Sequence, residues 1–197
     1  MTKTHTANTP AARSAASQRT LSMTYTALFV VVMAVCSWIT IPMTVPFTLQ
    51  TFGVYMTLLL LGGRRGTLAI GIYLLLGTVG APVFAGFAGG PGSLLGPTGG
   101  YLIGFLVMGL CYWLLISLLA RGREESALWQ HLAALLAGVV LLYVFGTVWF
   151  VHVYTAGGEA VTYGTAMAWC VFPFLVPEAG KLLLAFSLAP RLRRHMK

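Results

Sequence analysis

Glu178 and Lys181 are the residues of this sequence whose types and spacing most clearly suggest chemistry. They lie three residues apart in an apolar stretch near the C-terminus, where the sequence places a carboxylate and an ammonium at membrane depth. An isolated charge near the centre of a bilayer costs roughly 2.5–3.5 kcal/mol on insertion scales, so such residues usually face the interior of a helix bundle. On a helix, side chains at this spacing can reach each other. The pair is therefore either a structural ion pair or part of a ligand pocket.

Pro177 favours the ligand pocket. Proline suits the first turn of a helix, and a helix beginning at Pro177 would direct its N-terminal N–H groups and Lys181 towards one end of the molecule. That arrangement suits an anion, and Glu178 could accept N–H donors from the same ligand. Pro173 offers a second possible start, so the sequence leaves two choices for the beginning of this helix.

Other candidate chemistry is less convincing. Ser93 and His152 could form the dyad of an intramembrane hydrolase, but Ser93 lies in a Gly-Pro-Gly-Ser run, where serine is common in turns. Cys36, Cys111 and Cys170 are scattered without metal-ligand spacing and are interpreted as buried thiols. No G-x-x-x-x-G-K-[ST] motif is present, so uphill transport would take its energy from partner proteins. We predict no catalytic residue, no metal site and no cofactor.

The composition indicates an integral membrane protein. Hydrophobic residues make up 58% of the 197 residues and charged residues 8%, whereas a soluble domain carries about 25% charged residues. So little polar surface cannot cover a globule in water, but a lipid-facing exterior removes that need. The net charge of +8 does not indicate nucleic-acid binding, because the basic residues are clustered between apolar runs rather than interleaved with stacking aromatics.

Six apolar runs approach the roughly 20 residues that a helix needs to cross the hydrocarbon core. The second is short unless residues 48–51 join it, and a separate amphipathic stretch at 163–172 precedes the sixth. The runs cover residues 21–41, 52–61, 66–79, 101–120, 132–154 and 177–192. We therefore predict an all-α integral membrane protein with six transmembrane helices in one domain, residues 21–197, behind a disordered cytoplasmic tail, residues 1–20.

The distribution of basic residues predicts the orientation. With the N-terminus inside, Arg64 and Arg65 follow the second crossing, Arg121 and Arg123 the fourth, and the basic C-terminal tail the sixth. All three are then cytoplasmic, as the positive-inside rule requires. The opposite loops, 42–50, 80–100 and 155–176, contain no Lys or Arg. Both termini are therefore predicted to be cytoplasmic.

The predicted outer segments are rich in glycine and proline. They contain Pro42, Pro46, Pro82, Pro91, Pro97 and Pro173, and glycines are dense from Gly80 to Gly100. Non-helical backbone at membrane depth is tolerated only where it is buried in protein or lines a cavity. We expect these outer segments to fold over and enclose a ligand.

Several sequence runs together resemble one known family, the biotin-specific S components of energy-coupling factor (ECF) transporters, called the BioY family. The resemblance covers nearly everything from about residue 22 onward. Its motifs are Val45–Thr51, Leu61–Gly66, Gly77–Gly86, Gly96–Phe105, and Pro173-Phe174 followed by Glu178 and Lys181.

The resemblance implies a protein of the bacterial plasma (inner) membrane that binds biotin on its outer side and mediates biotin uptake. Members of that family associate with a transmembrane coupling protein and a pair of ATPase subunits as an ABC-type importer. Release of biotin inside would then need a reorientation driven by those ATPases. Some bacteria use the biotin component with fewer partners.

The resemblance also implies a set of ligand-binding residues. Glu178 and Lys181 match the acidic and basic binding positions of the family, and Tyr101, Thr98 and Gln50 fall in its outer-loop motifs as further contacts. Biotin offers a carboxylate, a ureido group with two N–H donors and one carbonyl, and an apolar ring and chain. A lysine, a carboxylate acceptor and aromatic walls complement those groups.

Two positions depart from the family pattern. Glu178 stands where the family usually has Asp, which adds one methylene to the pocket. S components often carry an Ala-x-x-x-Ala surface on the first helix for docking the coupling protein, whereas Ala27 is followed here by Val31, with Ala34 at the next turn.

Three alternative functions remain open at this point. The chain could be an S component for another vitamin, which competition between vitamins would distinguish. It could be an intramembrane enzyme that uses Ser93 or Glu178, which turnover of a bound ligand would reveal. It could also be a purely structural membrane protein.

Overall fold

The fold is almost entirely helical, as predicted. The computed structural model describes residues 10–43, 45–119 and 127–196. Its elements are α1 (Pro10–Trp38), β1 (Thr40–Ile41), β2 (Phe47–Thr48), α2 (Gln50–Thr78), α3 (Pro91–Leu95), α4 (Gly99–Leu119), α5 (Leu128–Ala156), α6 (Tyr163–Cys170) and α7 (Phe172–Arg193). A 3₁₀ turn, Ala85–Phe87, precedes α3. The two short strands pair antiparallel, with Thr40 opposite Thr48 and Ile41 opposite Phe47.

Five helical segments of the described chain are long and apolar enough to cross a membrane: Ser17–Trp38, Gln50–Thr78, Gly99–Leu119, Leu128–Ala156 and Tyr163–Arg193. Large apolar side chains cover much of the outer surface of the bundle. Val176 and Leu183 on α7, for example, are 81% and 70% exposed. Such a surface suits lipid rather than water, so the predicted membrane character of the chain is supported by both length and surface composition.

The second of these segments, α2, folds back on itself at Gly62. This residue has φ 76° and ψ 173°, which are not helical angles. The Nε2 of Gln50 lies 2.7 Å from the hydroxyl of Tyr73, although 23 residues of continuous helix would separate them by about 34 Å. Residues 50–61 and 63–78 are therefore two antiparallel limbs, and they correspond to the predicted second and third helices.

The first helix begins earlier than the sequence suggested. Since α1 starts at Pro10, residues 10–20 of the predicted disordered tail are helical, and residues 1–9 lie outside the described residues. The predicted cytoplasmic loop with Arg121 and Arg123 also lies outside them.

Of the two helix starts that the sequence left open, the structure has the one at Pro173 and not the one at Pro177. The helix α7 begins at Phe172, and Pro173 lies in its first turn. Proline is tolerated there because the N–H groups of the first turn have no partner within the helix. Pro177 lies inside the helix. Glu178 consequently lies beyond the first turn. The helix N-terminal anion site expected at Pro177 does not exist, and any anion site here has to come from side chains.

Glycines allow the closest helix contacts, which determine how α4 meets α5. A Cβ on Gly100 would lie 2.3 Å from the Cβ of Trp149, and one on Gly104 would lie 2.7 Å from Cδ1 of Leu142. Small residues at such positions let helix backbones approach closely in membranes. This packing brings the N-terminal end of α4 against the C-terminal half of α5, next to the predicted outer segments.

Candidate ligand-binding site

A cavity of about 180 Å³ lies at the end of the bundle where the glycine- and proline-rich segments gather. Each of the three predicted outer segments contributes to its wall, as expected. The five predicted site residues, Gln50, Thr98, Tyr101, Glu178 and Lys181, all border it. The other lining residues are Val45, Pro46, Thr48, Thr51, Phe84, Ala85, Ala88, Ser93, Leu102, Phe105, Leu142, Tyr143, Cys170 and Phe174.

Lys181 and Glu178 form a buried ion pair on α7. The Nζ of Lys181 lies 2.8 Å from Oε2 of Glu178, and the two side chains are 7% and 8% exposed. Lys181 also donates to Oγ1 of Thr51 at 2.7 Å, and its Nζ lies 4.8 Å from the centroid of the Phe47 ring. An ammonium has three N–H donors, so these two hydrogen bonds leave a third donor for a ligand or for the face of Phe47.

Two tyrosines that sequence reasoning missed hold the carboxylate of Glu178. The hydroxyl of Tyr55 donates to Oε1 at 2.5 Å, and that of Tyr143 donates to Oε2 at 3.4 Å. A phenol within an apolar helix usually finds a hydrogen-bond partner when it is buried, so both tyrosines were detectable as polar residues in need of one. The partner was not detectable, since Tyr55 is 123 positions from Glu178.

Gln50 belongs to a chain of hydrogen bonds that leads to Val83, next to the cavity-lining residue Phe84. Its Nε2 donates to the hydroxyl of Tyr73, which donates to the carbonyl of Val83 at 2.8 Å. Ser37 donates to the same carbonyl at 2.6 Å. These bonds attach the segment after α2 to both α1 and α2, so the wall that carries Phe84 is held against the bundle.

Thr98 and Tyr101 lie at the start of α4. The carbonyl of Thr98 accepts from the backbone N–H groups of Tyr101 and Leu102, at 3.1 and 3.3 Å. The hydroxyl of Tyr101 lies 3.2 Å from Oγ1 of Thr147 on α5, and its ring packs edge-on against Tyr143, with centroids 6.3 Å apart. Tyr101 and Tyr143 thus form an aromatic corner next to Glu178.

The structure does not assemble the hydrolase dyad considered from the sequence. Ser93 borders the cavity, but its hydroxyl donates to the carbonyl of Gly89 at 3.3 Å. His152 is exposed on α5 and borders a different groove, beside Trp149 and Tyr163. Within the described ranges, no group of three or more His, Cys, Asp or Glu residues is arranged to hold a metal ion.

The arrangement suits an amphipathic small molecule with both donor and acceptor groups. Lys181 can donate, Glu178 can accept, and Phe105, Tyr143 and Phe174 supply aromatic walls. Mostly apolar cavities with a few converging polar groups are typical of small-molecule sites. Every buried side-chain nitrogen and oxygen of the described residues already has a hydrogen-bond partner, so the site is held in place before a ligand enters.

Comparison with known proteins gives one consistent family. The model of the BioY family matches residues 5–197. The chain is 40% identical over 169 residues to the biotin transporter BioY of Thermotoga maritima, covering 85% of this chain and 92% of that relative. It is 36% identical over 174 residues to the biotin transporter BioY2 of Lactococcus lactis, covering 85% and 88%.

A solved structure agrees with the sequence relatives. The crystal structure of the S-component for biotin from an ECF-type ABC transporter matches this fold with a TM-score of 0.78 and 27% sequence identity, covering 90% of this chain and 93% of the other. The two chains therefore share their fold over nearly all of their length. The chain is therefore a member of the BioY family.

Proposed function

We propose that this chain is the biotin-binding S component of an ECF importer and mediates biotin uptake across the bacterial plasma membrane. The observation that carries the proposal is the buried Glu178–Lys181 pair, which borders an aromatic-walled cavity in a chain of the BioY family. The chain captures its substrate and does not transform it.

Biotin matches the cavity group by group. The third N–H donor of Lys181 suits an oxygen of the biotin carboxylate or ureido carbonyl, while Glu178 suits a ureido N–H. Thr98 and Gln50 are the additional polar contacts of the proposed site, and Tyr101 belongs to its aromatic wall. The ring and chain of biotin then lie against the apolar lining.

For the membrane topology we propose six crossings with both termini cytoplasmic. The chain reversal at Gly62 supports this count because each limb of α2 then makes its own crossing. Arg193 near the C-terminus donates to the carbonyl of Leu59 beside the reversal, so Arg64 and Arg65 lie at the same end as the basic C-terminal tail. The segments without Lys or Arg surround the cavity at the other end.

The proposed partners are a transmembrane coupling protein and a pair of ATPase subunits. The exposed stripe of α1 that includes Ala27 and Val31 is the proposed docking surface for the coupling protein. Ala34 does not belong to that surface, because it is only 5% exposed and packs in the core. The docking surface therefore continues through Val35, which is 43% exposed.

Calorimetric titration of biotin into the purified protein tests the proposed function. We expect binding of one biotin, weakened about 10- to 100-fold in Lys181→Met, because a hydrogen bond to a charged group contributes roughly 1.5–3 kcal/mol. Arg191→Met removes a cation from the same helix outside the cavity and should leave the affinity unchanged. Failure of folded wild-type protein to bind biotin, followed by binding of another vitamin from a competition panel, would overturn the biotin assignment.

A double variant separates a ligand site from a purely structural ion pair. Removing Lys181 alone leaves Glu178 without its cation, and breaking a buried pair in this way costs stability. Glu178→Gln combined with Lys181→Met removes both charges and should keep the fold while abolishing tight binding. A folded double variant that still binds biotin as tightly as the wild type would assign the pair a structural role only.

A further inference from the structure

A second cavity, of about 330 Å³, lies at the opposite end of the bundle from the proposed biotin site. It is formed where the first limb of α2, the start of α5 and the end of α7 meet. Its wall is largely apolar and includes Leu128, Phe186 and Pro190. Arg193 and Arg194 border the same cavity, so an apolar wall and two cations adjoin each other.

Among the described residues that line this cavity, Arg193 and Arg194 supply positive charge. Arg193 uses one N–H for the carbonyl of Leu59, and a guanidinium has five donors, so further donors remain for a ligand. Arg194 is exposed. No carboxylate is among the described residues that line the cavity. Glu178, one of the two acids in the described ranges, borders the other cavity, and the second, Glu159, follows the C-terminal end of α5.

The position of the cavity matches the edge of a membrane. The membrane-crossing segment that contains α7 ends at Arg193, and the segment of α5 begins at Leu128. In the proposed topology the arginines lie at the depth of lipid headgroups, and Phe186 and Pro190 lie one to two helical turns further into the apolar layer. An amphiphile with an anionic head and an apolar chain would complement this order, with its head at the arginines and its chain against the apolar residues.

We propose that this cavity binds an anionic phospholipid, with its phosphate at Arg193 and Arg194 and an acyl chain along Leu128, Phe186 and Pro190. Basic pockets between transmembrane helices at the headgroup level are suited to such lipids. Guanidinium groups pair well with phosphate oxygens because they present several N–H donors in one plane. A bound lipid would bridge α5 and α7 beside the reversal of α2, and it would stabilise the folded protein by mass action.

Native mass spectrometry of the detergent-purified full chain tests this site with two lipids, phosphatidylglycerol and phosphatidylcholine. We expect phosphatidylglycerol to be retained in preference to phosphatidylcholine. Arg194→Gln should weaken phosphatidylglycerol retention about fivefold, whereas Arg191→Gln, which removes the same charge outside the cavity, should leave it unchanged. Inorganic phosphate added alone should not displace the lipid, since it cannot use the apolar wall.

Three results would overturn the proposal. Equal loss in Arg191→Gln and Arg194→Gln would show that only the overall positive charge attracts the lipid. Equal retention of both lipids would show that the arginines do not select the headgroup, and displacement by inorganic phosphate would indicate a site for a soluble anion instead. Unchanged thermal unfolding of Arg194→Gln in lipid-free detergent is the control that this variant still folds.

Discussion

At the scale of single residues, the site depends on a carboxylate that pairs with one cation and accepts hydrogen bonds from two tyrosines. Glu178 accepts from Lys181, Tyr55 and Tyr143. A buried carboxylate with so many partners is expensive to leave unmatched, because each lost donor exposes its charge to an apolar surrounding. The same partners also hold the carboxylate in one orientation, which a ligand with N–H donors can use.

Tyr55→Phe should lower the free energy of unfolding by about 1.5–3 kcal/mol, because it removes a short hydrogen bond to a charged group. Tyr143→Phe is the matched control: its hydrogen bond to the same carboxylate is 3.4 Å long, and a bond of that length is weak. Denaturation with SDS in mixed micelles, followed by circular dichroism, measures both. Equal losses in the two variants would contradict the assigned geometry.

At the scale of elements, the reversal of α2 at Gly62 determines the shape of the bundle. Both limbs contribute to the site: Thr51 and Tyr55 come from the first limb, and Tyr73 comes from the second. The break leaves carbonyls of the last turn of the first limb without helical donors. Arg193 supplies one to Leu59, so α7 holds the first limb at both of its ends.

Gly62→Ala should lower the free energy of unfolding by about 1–3 kcal/mol, because the φ and ψ of Gly62 lie in a region that is essentially restricted to glycine. A Cβ at Gly62 would meet nothing within 4 Å, so the effect would come from the backbone alone. Gly71→Ala, in the second limb and equally open, should be neutral or stabilising. SDS denaturation measures both variants, and an unaffected Gly62→Ala would contradict the reversal.

At the scale of the whole molecule, the two ends of the bundle differ in charge and shape. One end carries the glycine- and proline-rich segments around the proposed biotin site, which contain no Lys or Arg. The other carries Arg64 and Arg65 beside the α2 reversal and the arginines at the end of α7. Positive charge is retained on the cytoplasmic side of membrane proteins, so this asymmetry is the physical basis of the proposed orientation.

Cysteine labelling tests the six-crossing topology. In a chain whose three native cysteines are replaced by alanine, Glu159→Cys should react with a membrane-impermeant maleimide in intact spheroplasts. Arg65→Cys and His195→Cys, at exposed positions of the other end, should react only after the membrane is disrupted. Reaction of His195→Cys in intact spheroplasts would indicate an odd number of crossings or an inverted chain.

The sequence by itself determined the class of the protein and singled out the residues of the proposed ligand site. Membrane character follows from the sparse charges, the approximate helix positions follow from apolar run lengths, and Glu178 and Lys181 are conspicuous as charges in an apolar stretch. These are local properties, so neighbouring residues in the chain are enough to reveal them. The family motifs extended the prediction to Gln50, Thr98 and Tyr101, which border the same cavity as the charged pair.

Only the tertiary structure decided which distant residues complete the site. It placed Tyr55 and Tyr143 on Glu178 and Thr51 on Lys181, and it decided between the two possible starts of α7, which begins at Phe172 with Pro173 in its first turn. These features depend on contacts between helices that are far apart in the chain. An apolar helix offers many faces of nearly equal hydrophobicity, so its sequence does not specify which face meets which neighbour. That choice is made by the close packing of side chains in the bundle.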